Sequence, residues 1–185
     1  LKELVRAKEL HPKIGLVGCV TNYISGRQTL SNPDYTDTNG FHAFSAKVLD
    51  YAKDRILPRR RIAGFVMLLE RELYLEVDGL DESYGIGNFE DDDFCLKIKQ
   101  AGYTIMVHEG VYIHHYGSRT FAENKIDLKA SLGKNHELFK QKWPSVDYER
   151  LLEIKDPLYL EEPKRLKEAE QFYNQGQLSL ASDIL

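Results

Sequence analysis

The feature that most constrains this chain is Ile14-Gly-Leu-Val-Gly-Cys-Val20, seven residues without one polar side chain. It is too short for a buried helix and has the length of a strand covered on both faces. Ile62–Leu69 is a second apolar run and predicts a second such strand. Tyr103–Val107 and Val111–His114 are strand-like again. Between them lie stretches of helical period: 42–57, with Phe44, Val48 and Ala52 on one face and Ser45 as a cap; 70–77, with Leu73 and Val77; and 91–101, with Phe94, Cys95, Ile98 and Ala101. Residues 1–12 read as the end of a helix stopped by His11-Pro12. Residues 21–40 and 81–88 read as loops, and 126–143 reads as a helix ended by Pro144. Strands alternating with helices predict an α/β fold.

The densest signal is Asn88-Phe-Glu-Asp-Asp-Asp93. Four consecutive acids repel one another. One or two of them are explained by the helix dipole, which favours anions in the first turn by about 0.3–1 kcal/mol each. Four, placed directly after a Gly-rich loop, also read as carboxylates held beside a substrate, where crowding raises their pKa as a general base requires. Gly102 marks the C-terminal end of that helix. His114-His-Tyr-Gly-Ser-Arg-Thr120 follows a strand. Adjacent histidines on a strand point to opposite faces, so one at most serves a given site. Ser118, Arg119 and Thr120 suit a phosphate or form an ordinary polar loop. Asp81-Glu82 reads as a turn, and Arg59-Arg60-Arg61 as a solvated loop beside Pro58.

Bulk properties narrow the class. The 185 residues carry 25 Lys plus Arg and 29 Asp plus Glu, a net charge of −4, which argues against a nucleic-acid partner. The two cysteines, Cys19 and Cys95, belong to no metal or disulfide pattern and point to a reducing cytoplasm. No apolar run reaches the roughly 18 residues a membrane span needs, and the first residues carry no marks of a signal peptide. The chain opens on Leu1 rather than Met, which suggests a processed or excised product.

Taken together, four stretches resemble the family 2 glycosyltransferases of the GT-A fold: Ala63-Gly-Phe-Val-Met-Leu-Leu-Glu-Arg-Glu-Leu-Tyr74, Val77-Asp-Gly-Leu-Asp-Glu82, Phe89-Glu-Asp-Asp-Asp-Phe-Cys-Leu-Lys-Ile-Lys-Gln-Ala-Gly-Tyr103 and His115-Tyr-Gly-Ser-Arg-Thr120. The resemblance covers about residues 1–145. It implies a partial GT-A domain, the acceptor-side half, without the upstream nucleotide-binding half and its metal-holding DxD. Asp91-Asp-Asp93 contains a D-x-D string in the wrong context, and Asp34-Tyr-Thr-Asp37 has the wrong spacing.

By the same resemblance Asp91 is the general base and Glu90 its partner orienting the acceptor. Asp92 borders the substrate, and Asp81 and Glu82 belong to the acceptor loop. Ser118, Arg119 and Thr120 border the diphosphate. His115, with His114 as fallback, completes the shell of a Mn2+ or Mg2+ ion. The implied reaction is inverting transfer of a sugar from a nucleotide-diphosphate donor to a glycan or other hydroxyl acceptor. It would act on a bacterial-type surface polysaccharide or glycoprotein, in the cytoplasm or at the inner membrane face. A module that binds partners or forms a homodimer without catalysis is the competing reading, since a half domain exposes sheet edge and apolar surface. Residues 146–185 read as a helical tail in which Ala169–Leu185 resembles the start of a tetratricopeptide repeat. That resemblance would add a protein partner; an ordinary helical hairpin fits equally.

Overall fold

The computed structural model describes residues 1–30, 33–117 and 128–152. In chain order the elements are α1 (Lys2–Glu9), β1 (Ile14–Val20), α2 (Thr38–Ala52), β2 (Ile56–Arg59), α3 (Arg71–Glu76), a short 3-10 turn (Glu82–Tyr84), α4 (Glu90–Gln100), β3 (Thr104–Tyr112), α5 (Leu128–Lys142) and α6 (Tyr148–Leu152). The fold is mixed α/β. Its sheet has three strands in the order β1-β3-β2, with β1 parallel and β2 antiparallel to β3.

Burial on both faces of the sheet explains the apolar run of β1. All of β1 is buried, and Thr104–Val107 of β3 pack on it. Leu16, Val20, Ile105 and Val107 face α4 and its Phe94, Cys95 and Ile98, while Ile14, Val17, Cys19 and Met106 face Leu4 and Ala7 of α1. Burying a side chain such as Phe94 stabilises the fold by about 2–3 kcal/mol. Both sheet faces are covered, so β1 has no polar face to show in its sequence.

Three expected elements differ. The helix expected at 42–57 begins at Thr38 and ends at Ala52. Asp37 caps it, accepting from the Gly40 amide (2.7 Å), and Ser45 lies in mid-helix. Residues 62–69 form no strand. Their amides bond to side chains instead: Ile62 N–H to Cys95 Sγ (3.3 Å), Ala63 N–H to Gln28 Oε1 (2.7 Å) and Gly64 N–H to Asp91 Oδ2 (2.9 Å). Only an isolated bridge between Val17 and Leu68 ties the segment to β1. The second strand is Ile56-Leu-Pro-Arg59. Pro58 is tolerated there because β2 pairs on one side only, with β3. The two strands expected at 103–107 and 111–114 are one strand, Thr104–Tyr112. The polar interruption that divides them in sequence is absorbed: His108 is buried, and Glu109 pairs with Arg55 (2.8 Å) and Arg59 (2.7 Å).

The solvated-loop reading of Arg59-Arg60-Arg61 is also overturned. Arg59 and Arg61 are buried, each against a carboxylate. Of the tail, only residues up to 152 are described. Tyr148 and Leu151 pack with Tyr84, Phe89 and Phe139, so α6 is seated on the same body as α4 and α5. The repeat-like stretch 169–185 lies outside the described residues. No helix among the described residues is long and apolar enough to cross a membrane.

Candidate functional site

The acid run opens α4, and what precedes it is strained. Asn88 (φ 74°) and Phe89 (φ 72°) are consecutive non-glycine residues in the left-handed region, an arrangement that costs of order 1–3 kcal/mol per residue and persists only when its surroundings enforce it. Two groups enforce it. The buried Asn135 side chain donates to the carbonyls of Tyr84 (2.7 Å), Gly87 (2.8 Å) and Asn88 (3.1 Å). Phe89 is held among His136, stacked at 5.2 Å, Phe139 and Tyr148. The strained turn delivers Glu90 and Asp91 to a cleft of about 820 Å3 that also borders Arg61, Gly64, His114 and His115.

Asp91 is fixed from three sides. Its Oδ2 accepts from Gly64 N–H (2.9 Å) and Arg61 (3.3 Å), and its Oδ1 accepts from the Asp92 amide (2.9 Å) in the open first turn of α4. Its side chain keeps 15% exposure and so remains reachable from the cleft. Arg61 also contacts Asp92 through Nε, and its Nη1 donates to the Ser25 carbonyl (3.1 Å). Burial works against the guanidinium's charge, but Asp92 and Asp91 more than offset it, so its pKa rises. One cation thus faces two carboxylates. Burial pushes the Asp92 carboxyl up to about 7 against the pull of Arg61, with Asp91 adding to the rise, and Tyr148 donates to its Oδ2 (3.0 Å). Glu90 is likewise raised, by burial first and Asp91 second, and its Oε2 is buried without a hydrogen-bond partner. The crowding inferred from sequence therefore acts on Glu90 and Asp92, with burial the larger cause.

Both histidines border the cleft. The strand ends at Tyr112, so the opposite-face argument does not apply at 114–115. His115 exchanges hydrogen bonds with the Asn22 side chain (2.8 and 3.1 Å) and stacks on Phe65 at 5.4 Å. Its Nδ1 lies 2.6 Å from the Tyr23 carbonyl. A carbonyl only accepts, so Nδ1 carries a proton; in the neutral ring this leaves the Nε2 lone pair free, the tautomer of a metal-ligating or hydrogen-bond-accepting imidazole. His114 bonds through Nδ1 to the Tyr35 hydroxyl, which bonds in turn to Tyr112 (2.7 Å).

Other expected residues fall elsewhere. Asp81 and Glu82 do not border the cleft. Asp81 caps the 3-10 turn through Ser83 N–H (2.9 Å) and pairs with Lys142 (2.8 Å), which holds its carboxyl well below the usual range. Ser118, Arg119 and Thr120 lie outside the described residues. Arg61, Asn135 and Tyr148 were not expected at the site. Each acts through a partner at least 30 residues away, so no local signal marked it. No group of three or more His, Cys, Asp or Glu converges for a metal among the described residues.

No family model matches the chain. Over 88 residues, 47% of its length, it is 28% identical to the uncharacterized protein y4gI of Sinorhizobium fredii. It spans about a tenth of that relative.

Proposed function

We propose that this chain forms the acceptor side of a metal-dependent, inverting glycosyltransferase with a GT-A-like fold, whose donor-binding half belongs to the rest of the enzyme. The observation that carries the reading is Asp91: a carboxylate at a helix start, clamped by Arg61 and two amides, yet open to a cleft large enough for a sugar acceptor. In this reading Asp91 takes the proton of the acceptor hydroxyl. The acceptor oxygen bonds to the anomeric carbon as the bond to the diphosphate breaks, and the diphosphate leaves with the electron pair. Arg61 and Gly64 hold the base in line. Glu90, on the cleft beside Asp91, orients the acceptor.

For Mn2+ or Mg2+, the residues present fit one position of a shell: His115, whose Nε2 is left as acceptor by the Tyr23 carbonyl. The ion, when bound, stabilises charge on the leaving diphosphate. Two buried, unpaired cysteines suit a reducing cytoplasm.

The test is nucleoside diphosphate release with manganese across a panel of nucleotide sugars, using the polypeptide extended through its donor-binding half. Asp91→Asn is expected to lower turnover by about 10²–10⁴-fold, the range for a general base, with donor binding unchanged. Unchanged turnover in that variant would remove the base assignment. No release from any donor, by a folded protein, would favour a non-catalytic binding module.

A further inference from the structure

The floor of the cleft is charged, but its lips are not. Tyr23 and Tyr116 stand on one side, from the loops that follow β1 and β3, with 59% and 71% of their surface exposed. Ile86, before α4, and Leu132, on α5, border the same cleft with 63% and 40% exposed. Scattered exposed apolar residues need no explanation, but four around one polar opening are a surface to be covered.

The two tyrosines are also fixed. The Tyr23 ring lies directly on the Gly117 backbone: a Cβ at 117 would come within 2.4 Å of ring carbon Cδ1, and Gly117 has φ 59°. The same residue's carbonyl anchors His115. The Tyr116 ring meets His114 edge-on at 4.5 Å, and His114 is bonded to the Tyr35 hydroxyl. Rigid, exposed aromatic faces with hydroxyl tips are what a pyranose ring stacks on. Its C–H face covers the ring, and its hydroxyls reach the polar tips and the charged floor.

We infer that Tyr23 and Tyr116 form a stacking platform for the acceptor, and that the acceptor is a carbohydrate chain of two or more residues passing between the lips to Asp91. This rests on the acceptor-side reading above. A small alcohol would leave the lips bare, and an acyl chain would not use the hydroxyl tips.

The test is binding, which needs neither donor nor turnover. Saturation-transfer NMR on the 185-residue chain would use chitotriose, cellotriose and maltotriose, plus octyl β-glucoside as a probe carrying both a sugar and an alkyl chain. At least one trisaccharide is expected to bind. Its affinity should fall roughly three- to tenfold in Tyr23→Ala and in Tyr116→Ala, as loss of one stacking ring implies. It should survive the Phe variants, and remain unchanged in Tyr51→Ala, a control at an exposed tyrosine away from the cleft. Binding is read without donor or turnover, so a failed transfer reaction and a failed platform are told apart. The platform is overturned by a folded chain that binds no trisaccharide, by Ala variants that bind equally well, or by saturation confined to the octyl chain.

Discussion

Asp91 and Asp93 are two residues apart on one helix turn and live in different proteins, physically speaking. Asp93 is fully buried. Its carboxylate takes Trp143 Nε1–H (2.7 Å) and Lys142 (2.7 Å) from the end of α5 and lies 3.7 Å from Lys97 on its own helix. Among the described residues Asp91 is ion-paired with Arg61, and it borders the cleft. At about 100° per residue, a run of four acids cannot share one environment. Helix phase divides it into a part that fastens α5 to α4 and a part that faces the cleft. Asp92 lies between: buried, sharing Arg61 with Asp91, and capped by Tyr148. A run of like charges is thus neither a capping device nor a catalytic cluster as a whole.

The contrast breaks most directly by exchanging the penalties. Asp93→Ala leaves the Trp143 N–H without its acceptor and frees Lys142 toward Asp81 alone. Removing one partner of a buried pair costs about 3 kcal/mol here, the low end of the usual range because Lys142 is partly exposed. Asp91→Asn should cost less, about 1–2 kcal/mol: its amide oxygen still accepts from Gly64 and Arg61, while its NH2 replaces only the acceptor of the Asp92 amide. Equal losses in the two variants would mean that both acids are structural.

Next in size is Asn135→Ala. It strips three carbonyls of their donor and releases the strained turn, at about 2 kcal/mol. Because that turn carries Glu90 and Asp91 to the cleft, turnover should fall with stability, unlike in Asp93→Ala, where α4 keeps its N-terminal support. Loss of stability with full activity would detach the turn from the site.

Asp92 gives a pH signature. Its folded pKa, about 7, lies above the ordinary carboxylate value. The folded state therefore holds a proton that the unfolded chain has lost, and the associated stability, full below about pH 4, is lost as pH rises toward 7. Glu90, also raised, acts in the same sense, while buried His108, lowered by desolvation, acts against it below its ordinary value of 6.5. The difference between wild type and Asp92→Asn isolates the term: the variant should gain relative stability steadily from pH 4 to 7. A flat difference would mean that Asp92 stays ionised against Arg61.

The parts legible in sequence are those whose cause is local. β1 shows its burial in seven consecutive residues, and α4 shows its acids, its apolar face and the Gly102 stop at φ 83°. What was illegible depends on distant partners. Ile62–Leu69 has the composition of a strand, but Cys95, Gln28 and Asp91 take its amides. Arg61 looks solvated until Asp91 and Asp92, thirty residues on, are folded against it. Pro58 hides a strand that only its edge position permits.

The smallest expected effect tests the strained turn itself. Asn88 pays for its left-handed backbone and holds a buried Nδ2 without a hydrogen-bond partner. Asn88→Gly removes both penalties and adds unfolded-chain entropy that offsets part of the gain. A net stabilisation of about 0.5–1 kcal/mol is expected from urea melts, the opposite sign from Asn135→Ala on the same turn. Asn88 borders the cleft beside Glu90, so the change in activity carries the sharper information. Gained stability with a raised KM would mean that the unpaired amide is kept for the acceptor. Gained stability with unaltered kinetics would mean that the strain serves only to aim α4. A loss of stability would show that the Asn88 side chain has a structural partner in solution and that the turn is held from both sides.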